Sequence, residues 1–423
     1  APGLQAIAPG VTASDYHDGW TYQGGAFNYY FNYSWGTGLA TETAARRLAV
    51  DTAATGYPAM IDRIDHLDDF LVQTPLNHDR ELLGHAAWYQ TWLDHPSLDS
   101  YWDGLNVAGK YGQIDVATLN MGGWHDIFLG GTLANYFGMR WHGKTAQSRA
   151  ASRLVIGPWS HATFTHGGAI GDYWPGVLSA SDAIDLQGTQ LRFFDRWLRD
   201  VDNGFDRESP VSIFVMGENR WRNEDAWPIE RAQALELFLG SGGRANSLGG
   251  DGKLLRDLPS REQSVPDHYL SDPRDPVTTT GGQLCCHMHW SPSGVYDQRA
   301  IESRADVLVY TTDPVDEPVE ITGPVTLILY AASSAVDCDW TAKLVDVAPC
   351  GCAYNLTDGI LRARYRESQR EPKLLTPNEV TRFEVDLWAT SVLLKPDHAL
   401  RLEVASSNFP RFDRNLQTGG DQA

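Results

Sequence analysis

Cysteine, positive charge and long apolar runs are all scarce in this sequence. The five cysteines, Cys285, Cys286, Cys338, Cys350 and Cys352, all lie in the last third of the 423 residues. No pair has zinc-finger spacing, and Cys350-Gly351-Cys352 alone gives little reason to expect a metal. So few thiols in so large a chain fit a reducing compartment, and a cytoplasmic location is expected. Thirty-four Lys and Arg stand against fifty-four Asp and Glu, a formal charge of −20. That balance disfavours nucleic acid or an anionic membrane as a partner. No apolar run approaches the length of a membrane span. Gly-x-Ser-x-Gly is absent too, so the usual turn for a nucleophilic serine is missing. There is no internal repeat, no low-complexity linker and no His, Cys or carboxylate cluster with ligand spacing. Domains that pack directly on one another are expected, with no metal and no organic cofactor.

What is present is ample for ordinary cores: 42% of residues are apolar and 11% aromatic, and the length points to two or three domains. Ala1 to Pro9 lacks an initiator Met, a basic stretch and the shape of a signal peptide. It reads as a helix end running into a short strand, Leu4 to Ala8. The expectation is a piece of a larger polypeptide. Aromatics then crowd one segment: Trp20, Tyr22, Phe27, Tyr29, Tyr30, Phe31, Tyr33 and Trp35. Interleaved Gly24, Gly25, Asn28 and Asn32 suggest an irregular aromatic-lined wall, against the plainer reading of a helix wedged into a core. Residues 39 to 93 read as helices, with Ala44, Leu48, Ala49 and Ala53 at helical spacing and Ile61, Ile64, Leu67 and Leu71 likewise.

Strand-like runs resume at Ile114 to Met121 and at Arg153 to Ile156, with Thr132 to His142 suited to the crossover helix between them. A second helix is predicted with Ile184, Leu191, Phe194 and Leu198 on its packed face and Asp182 near its start. Val211 to Met216 reads as a further buried strand. From about residue 229 the period shortens. Alternating runs at Ala234 to Leu239, Val307 to Tyr310, Val325 to Tyr330, Ala342 to Val347, Arg382 to Leu387 and Ala399 to Val404 predict an antiparallel sandwich. The predicted units are 1–19 and 113–228 as an α/β core, 20–112 as an inserted helical cap, and 229–423 as the sandwich.

Chemistry concentrates in two loops that follow predicted parallel strands: Gly122-Gly123-Trp124-His125-Asp126 and Gly157-Pro158-Trp159-Ser160-His161. Open α/β sheets collect reactive groups at the carboxyl ends of their strands. Asp126 followed by His161 supplies the later part of a Ser…Asp…His order. In such a set the Asp orients the imidazole, and the His takes and returns the proton of a nucleophile. Each residue alone reads more simply, Asp126 as a turn or cap residue and His161 as an ordinary hydrogen-bonded histidine.

Gly123-Trp124-His125-Asp126-Ile127-Phe128 and Gly157-Pro158-Trp159-Ser160-His161 resemble the paired motifs of the CocE/NonD serine hydrolases. The likeness continues through Leu191-Arg192-Phe193-Phe194-Asp195-Arg196-Trp197-Leu198 and Val215-Met216-Gly217-Glu218-Asn219-Arg220-Trp221. It ends with Ser406-Ser407-Asn408-Phe409-Pro410-Arg411-Phe412-Asp413-Arg414-Asn415, so it spans nearly the whole chain. The family holds cocaine esterases, α-amino-acid ester hydrolases, glutaryl acylases and Xaa-Pro dipeptidyl-peptidases. The resemblance implies an α/β-hydrolase core, a helical cap and a C-terminal jelly roll. It makes Asp126 and His161 the Asp and His of the catalytic triad. It places the nucleophilic Ser and the oxyanion donors upstream of the Leu4 to Pro9 strand. It also puts Trp20, Trp35 and Phe128 around an acyl pocket, with Cys285 where the jelly roll reaches that pocket and a smaller thiol would widen it.

Three functions follow as expectations. The first is a serine hydrolase acting on a small-molecule ester or amide. Within that class a dipeptidyl-peptidase or a β-lactam/glutaryl-type acylase is the alternative. A dipeptidyl-peptidase needs an acceptor for a free amine, and Asp15 and Asp18 beside Trp20 are candidates by position, against two solvated loop acids. The third is a non-catalytic fragment or binding subunit, since the sequence carries no recognisable nucleophile. An upstream segment bearing the nucleophile is an expected partner, and a homodimer is left open.

Overall fold

The protein was analysed as a computed structural model that describes residues 3–164, 168–285 and 292–420. A five-stranded sheet runs in the order Ala6–Ile7, Ala117–His125, Ser152–Ser160, Val211–Val215, Arg220–Glu224. The first four strands are parallel and the last returns antiparallel. Ala117–His125 and Ser152–Ser160 are buried along their whole length, as strands covered on both faces must be. The opening strand is shorter than predicted: only Ala6 and Ile7 pair, against Ala117 and Thr118.

The glycines and tryptophans of the two motifs have packing roles. A Cβ on Gly123 would stand 2.1 Å from the Trp159 carbonyl oxygen, so only glycine lets the neighbouring strand approach. Trp124 and Trp159 are fully buried, and their indole N–H groups donate to Phe214 O and Ser179 O, each at 2.7 Å. These anchors fix the two loops before any chemistry is considered.

The crossover helix is Leu129–His142, three residues longer at its start than predicted. The later helix, Leu186–Arg199, departs from its predicted face. Leu186 and Phe193 are buried, whereas Leu191 and Leu198 are exposed at 68% and 52%. Asp185, not Asp182, caps it by accepting the Gly188 N–H at 3.1 Å. Phe193 faces the sheet with Trp197, and the predicted Ile184 and Phe194 pack beside them.

The aromatic segment is also more regular than predicted. Tyr22–Gln23 and Ala26–Phe27 form a hairpin, and Tyr29–Val50 is one 22-residue helix. Gly24 turns the hairpin at φ +54°, where a Cβ would collide with the Ile360 carbonyl of the sandwich. Tyr29, Tyr30 and Tyr33 are buried inside the helical cap, so the helix-in-core reading holds for this part. Asp79 ties the cap together. It accepts Tyr33 Oη at 2.7 Å, Arg63 Nε at 2.5 Å and the Leu82 N–H at 3.1 Å.

The C-terminal part is a two-layer β structure. Seven strands form one sheet, with Leu308–Thr311, Ala399–Ala405, Asp339–Val347 and Ala353–Arg362 adjacent in that order. Val319–Ala331 pairs with Thr381–Leu394 as the second sheet. Phe383, Val385 and Leu387 alternate inward between outward Arg382, Glu384 and Asp386, the period-two pattern of a half-buried strand. Of the predicted run Ala234 to Leu239 only its end is strand, within Phe238–Gly242. One apolar cluster joins Trp124, Tyr136 and Ile156 of the core to Trp340, Phe383 and Val404 of the sandwich. The parts therefore pack directly. No helix among the described residues is long and apolar enough to cross a membrane.

Beneath the large sheet lies a buried ionic group. Lys343 Nζ sits 3.3 Å from Glu403 and donates to Gln298 Oε1 at 2.6 Å, while Arg401 donates to Glu302 at 2.6 Å. Burial, opposed by Lys343 and reinforced by Glu302, pushes the Glu403 carboxyl up to about 7. An acid raised on folding stabilises below its unfolded value, and that stability is lost as pH rises through about 7. Up to about 2 kcal/mol is therefore expected to disappear between pH 5.5 and 8. Denaturant midpoints at pH 5.5 and 8 check this, because Glu403→Gln should flatten the difference. Equal pH slopes in the two proteins would contradict it.

Candidate active site

Both loops end at the same edge of the core sheet. Asp126 follows Ala117–His125 directly, and its N–H donates to Gly123 O at 3.1 Å, which curls the chain into the next helix. His161 follows Ser152–Ser160, where the Ser160 N–H donates to Thr163 Oγ1 at 3.0 Å. The geometry joins two residues thirty-five apart in sequence: His161 Nδ1 lies 3.0 Å from Asp126 Oδ1. The Asp126 side chain is fully buried and that of His161 is 28% exposed. With Nδ1 as donor to a carboxylate, the ring holds one tautomer and its Nε2 lone pair faces outward. Nε2 has no hydrogen-bond partner among the described residues.

The adjacent histidine cannot share this role. His125 is 1% exposed, and burial pushes its imidazole down to about 4. It remains neutral and out of reach of solvent.

Trp20, Trp35, Phe128 and Cys285 are gathered into one cluster together with Phe31, Ile127 and Ala13. Trp20 stacks on Phe128 with centroids 4.5 Å apart and planes 11° apart. Trp20 meets Trp35 edge-on at 5.8 Å, and Phe31 meets both Trp20 and Phe128 edge-on. Phe128 in turn presents its edge to the His161 ring at 5.4 Å. The aromatic wall therefore begins where the imidazole ends. Phe31 was only one of many aromatics in the sequence. Its place follows from the helix Tyr29–Val50, which puts positions 31 and 35 on one face.

One expectation needs correction. Cys285 is 3% exposed and disulfide-bonded, so it offers the pocket no free thiol; Cys286 lies outside the described residues. Asp15 and Asp18 each use one carboxylate oxygen to shape the loop before Trp20. Asp15 Oδ1 accepts the N–H groups of His17 at 2.7 Å and Asp18 at 3.2 Å, and Asp18 Oδ1 accepts that of Gly24 at 2.9 Å. The sandwich reaches the site through residues 281–285: Leu284 bridges to Asp126, and Gln283 Nε2 donates to Trp124 O at 3.4 Å.

Comparison with known proteins gives this arrangement a context. The family model for the X-Pro dipeptidyl-peptidases (S15 family) matches residues 1–163. That for the X-Pro dipeptidyl-peptidase C-terminal non-catalytic domain matches residues 203–423. A cocaine esterase from Rhodococcus sp. (strain MB1 Bresler) is 36% identical over 425 residues, covering 99% of this chain and 71% of that protein. Among solved structures, an α-amino acid ester hydrolase is 25% identical with a TM-score of 0.76, over 99% of this chain and 68% of its own. An aminopeptidase from a marine sediment Thaumarchaeota archaeon shares the fold at a TM-score of 0.71 and 24% identity, over 99% of this chain and 67% of its own.

Proposed function

Since the chain belongs to the CocE/NonD hydrolase family, we propose that it carries the His–Asp part of a serine esterase that works through an acyl-enzyme. The observation that carries this reading is the 3.0 Å contact of His161 with a fully buried Asp126, set against an aromatic wall. A serine from a segment outside this sequence attacks the ester carbonyl. His161 Nε2 takes the serine proton as the tetrahedral adduct forms, then gives it to the departing alcohol. Asp126 keeps Nδ1 protonated and stabilises the imidazolium; being buried, it is weakly screened. Deacylation repeats the sequence with water in place of serine.

Trp20, Phe31, Trp35 and Phe128 form the wall against which the acyl group packs. An aromatic acyl group gains both burial and edge or face contacts there. Replacing Trp20 with alanine should lower kcat/KM for an aromatic acyl ester by about ten- to a hundredfold, and much less for an acetyl ester. Parallel kinetics on p-nitrophenyl benzoate and p-nitrophenyl acetate check the difference. An equal loss on both would show that Trp20 only supports the fold.

An ester is favoured over an Xaa-Pro peptide because the wall beside His161 is apolar and aromatic, while Asp15 and Asp18 each commit one oxygen to backbone N–H groups. The test is a p-nitrophenyl ester against Ala-Pro-p-nitroanilide, using the longest natural polypeptide that contains this chain. Preference for the ester supports the proposal, and preference for the anilide replaces it with a dipeptidyl-peptidase. Turnover of neither leaves the binding-subunit reading in its place.

A further inference from the structure

The turn between strands Asp339–Val347 and Ala353–Arg362 carries Cys350-Gly351-Cys352 at its tip. Gly351 N–H donates to Ala348 O at 2.8 Å, and Ala348 N–H donates to Cys352 O at 2.9 Å. Gly351 has φ +82°, as the last residue of a three-residue hairpin loop often does. Nothing lies within 4 Å of where its Cβ would be, so the tip is open. Cys350 is exposed, Cys352 half-buried, and both are free thiols. Their side chains lie close enough to affect each other's protonation, and that of Tyr354 lies close to Cys352. A cation is fixed nearby. Arg299 Nε lies 2.8 Å from Asp297 Oδ2, and Asp297 Oδ1 accepts the Ala353 N–H at 3.2 Å at the foot of the same hairpin.

We propose that Cys350 and Cys352 form a thiol–disulfide exchange site that closes reversibly into an intramolecular disulfide by reaction with a low-molecular-weight disulfide of the oxidised-glutathione type. The Cys350 thiolate attacks one sulfur of that disulfide. Its S–S bond breaks and one glutathione thiolate leaves, giving a mixed disulfide on Cys350. Cys352 then loses its proton to solvent and attacks Cys350 Sγ, expelling the second glutathione. Two protein thiols are oxidised and one external disulfide is reduced to two thiols. The direction of attack follows from the surroundings. The Cys352 thiol, then Arg299 more weakly, holds Cys350 below its ordinary value, while Cys352 itself is held up. Cys338 offers the contrast: it is 4% exposed and burial pushes its thiol up, the setting of an inert structural cysteine.

The test uses the native protein incubated with oxidised glutathione, quenched in acid, treated with N-ethylmaleimide and digested with trypsin. Both cysteines fall on the single fragment Leu344–Arg362. The expected fragment is two hydrogens lighter than the dithiol and carries neither maleimide nor glutathione. Cys352→Ser should stop at one stable glutathione on Cys350. A wild-type fragment carrying two maleimides, or one retaining glutathione, would overturn the proposal.

Discussion

His161→Ala is expected to lower kcat by about five to six orders of magnitude in the polypeptide that supplies the nucleophile. Without the imidazole the serine has no group to accept its proton, and the leaving alcohol has no donor. Asp126→Asn should cost about 10⁴-fold, because the amide no longer selects the tautomer with Nδ1–H. The two losses will not add, since both remove the same proton relay. His161 sits in a loop with its side chain 28% exposed, so its removal should leave circular dichroism unchanged and lower the denaturant midpoint only modestly, through the buried Asp126 losing its partner. Steady-state and pre-steady-state ester kinetics measure the effect. A normal acylation burst in His161→Ala would remove this residue from the mechanism.

Arg362→Met should destabilise the fold by about 3–5 kcal/mol. Arg362 is 5% exposed and donates to both oxygens of Asp339 and to Asp413 Oδ1, each at 2.9 Å. The carboxylate side chains are 1% and 0% exposed. Burial, with Asp413 and Asp337 nearby, raises the Asp339 carboxyl even beside the guanidinium. Asp413 Oδ1 also accepts the Phe27 N–H at 2.8 Å, so losing the arginine loosens the cap hairpin as well as the sandwich. A deletion of this kind leaves uncompensated buried charge, which is costlier than removing the whole group. Arg362→Met combined with Asp339→Leu and Asp413→Leu should therefore recover part of the loss. Denaturant midpoints and hydrogen exchange at Phe27 measure both effects. A triple variant less stable than the single one would contradict this account.

Legibility in the sequence followed the range of the physical cause. The motif strands were readable because apolar runs bounded by Gly-rich turns mark buried parallel strands, and the loops after them held Asp126 and His161. Phe383, Val385 and Leu387 showed the sandwich through local alternation. The helix Leu186–Arg199 was readable as a helix, but its buried face was not. Which of Leu191 or Phe193 turns inward depends on the sheet beneath. The start of Tyr29–Val50 was hidden by Asn28 and Asn32, which suggest a break. Asn32 instead donates to Thr21 O and Asn28 O, and so serves the hairpin before the helix. The Arg362 group, whose partners lie 23 and 51 residues away, left no local trace.

Activation of a serine by Asp126 and His161 is the step on which the proposed hydrolysis depends. Its most direct test is fluorophosphonate labelling of the longest natural polypeptide containing this chain, with the adduct located by peptide mapping. One adduct on a single serine, formed at least about a thousandfold more slowly in His161→Ala, is the result predicted. No adduct on any serine, or equal labelling rates with and without the imidazole, would contradict it.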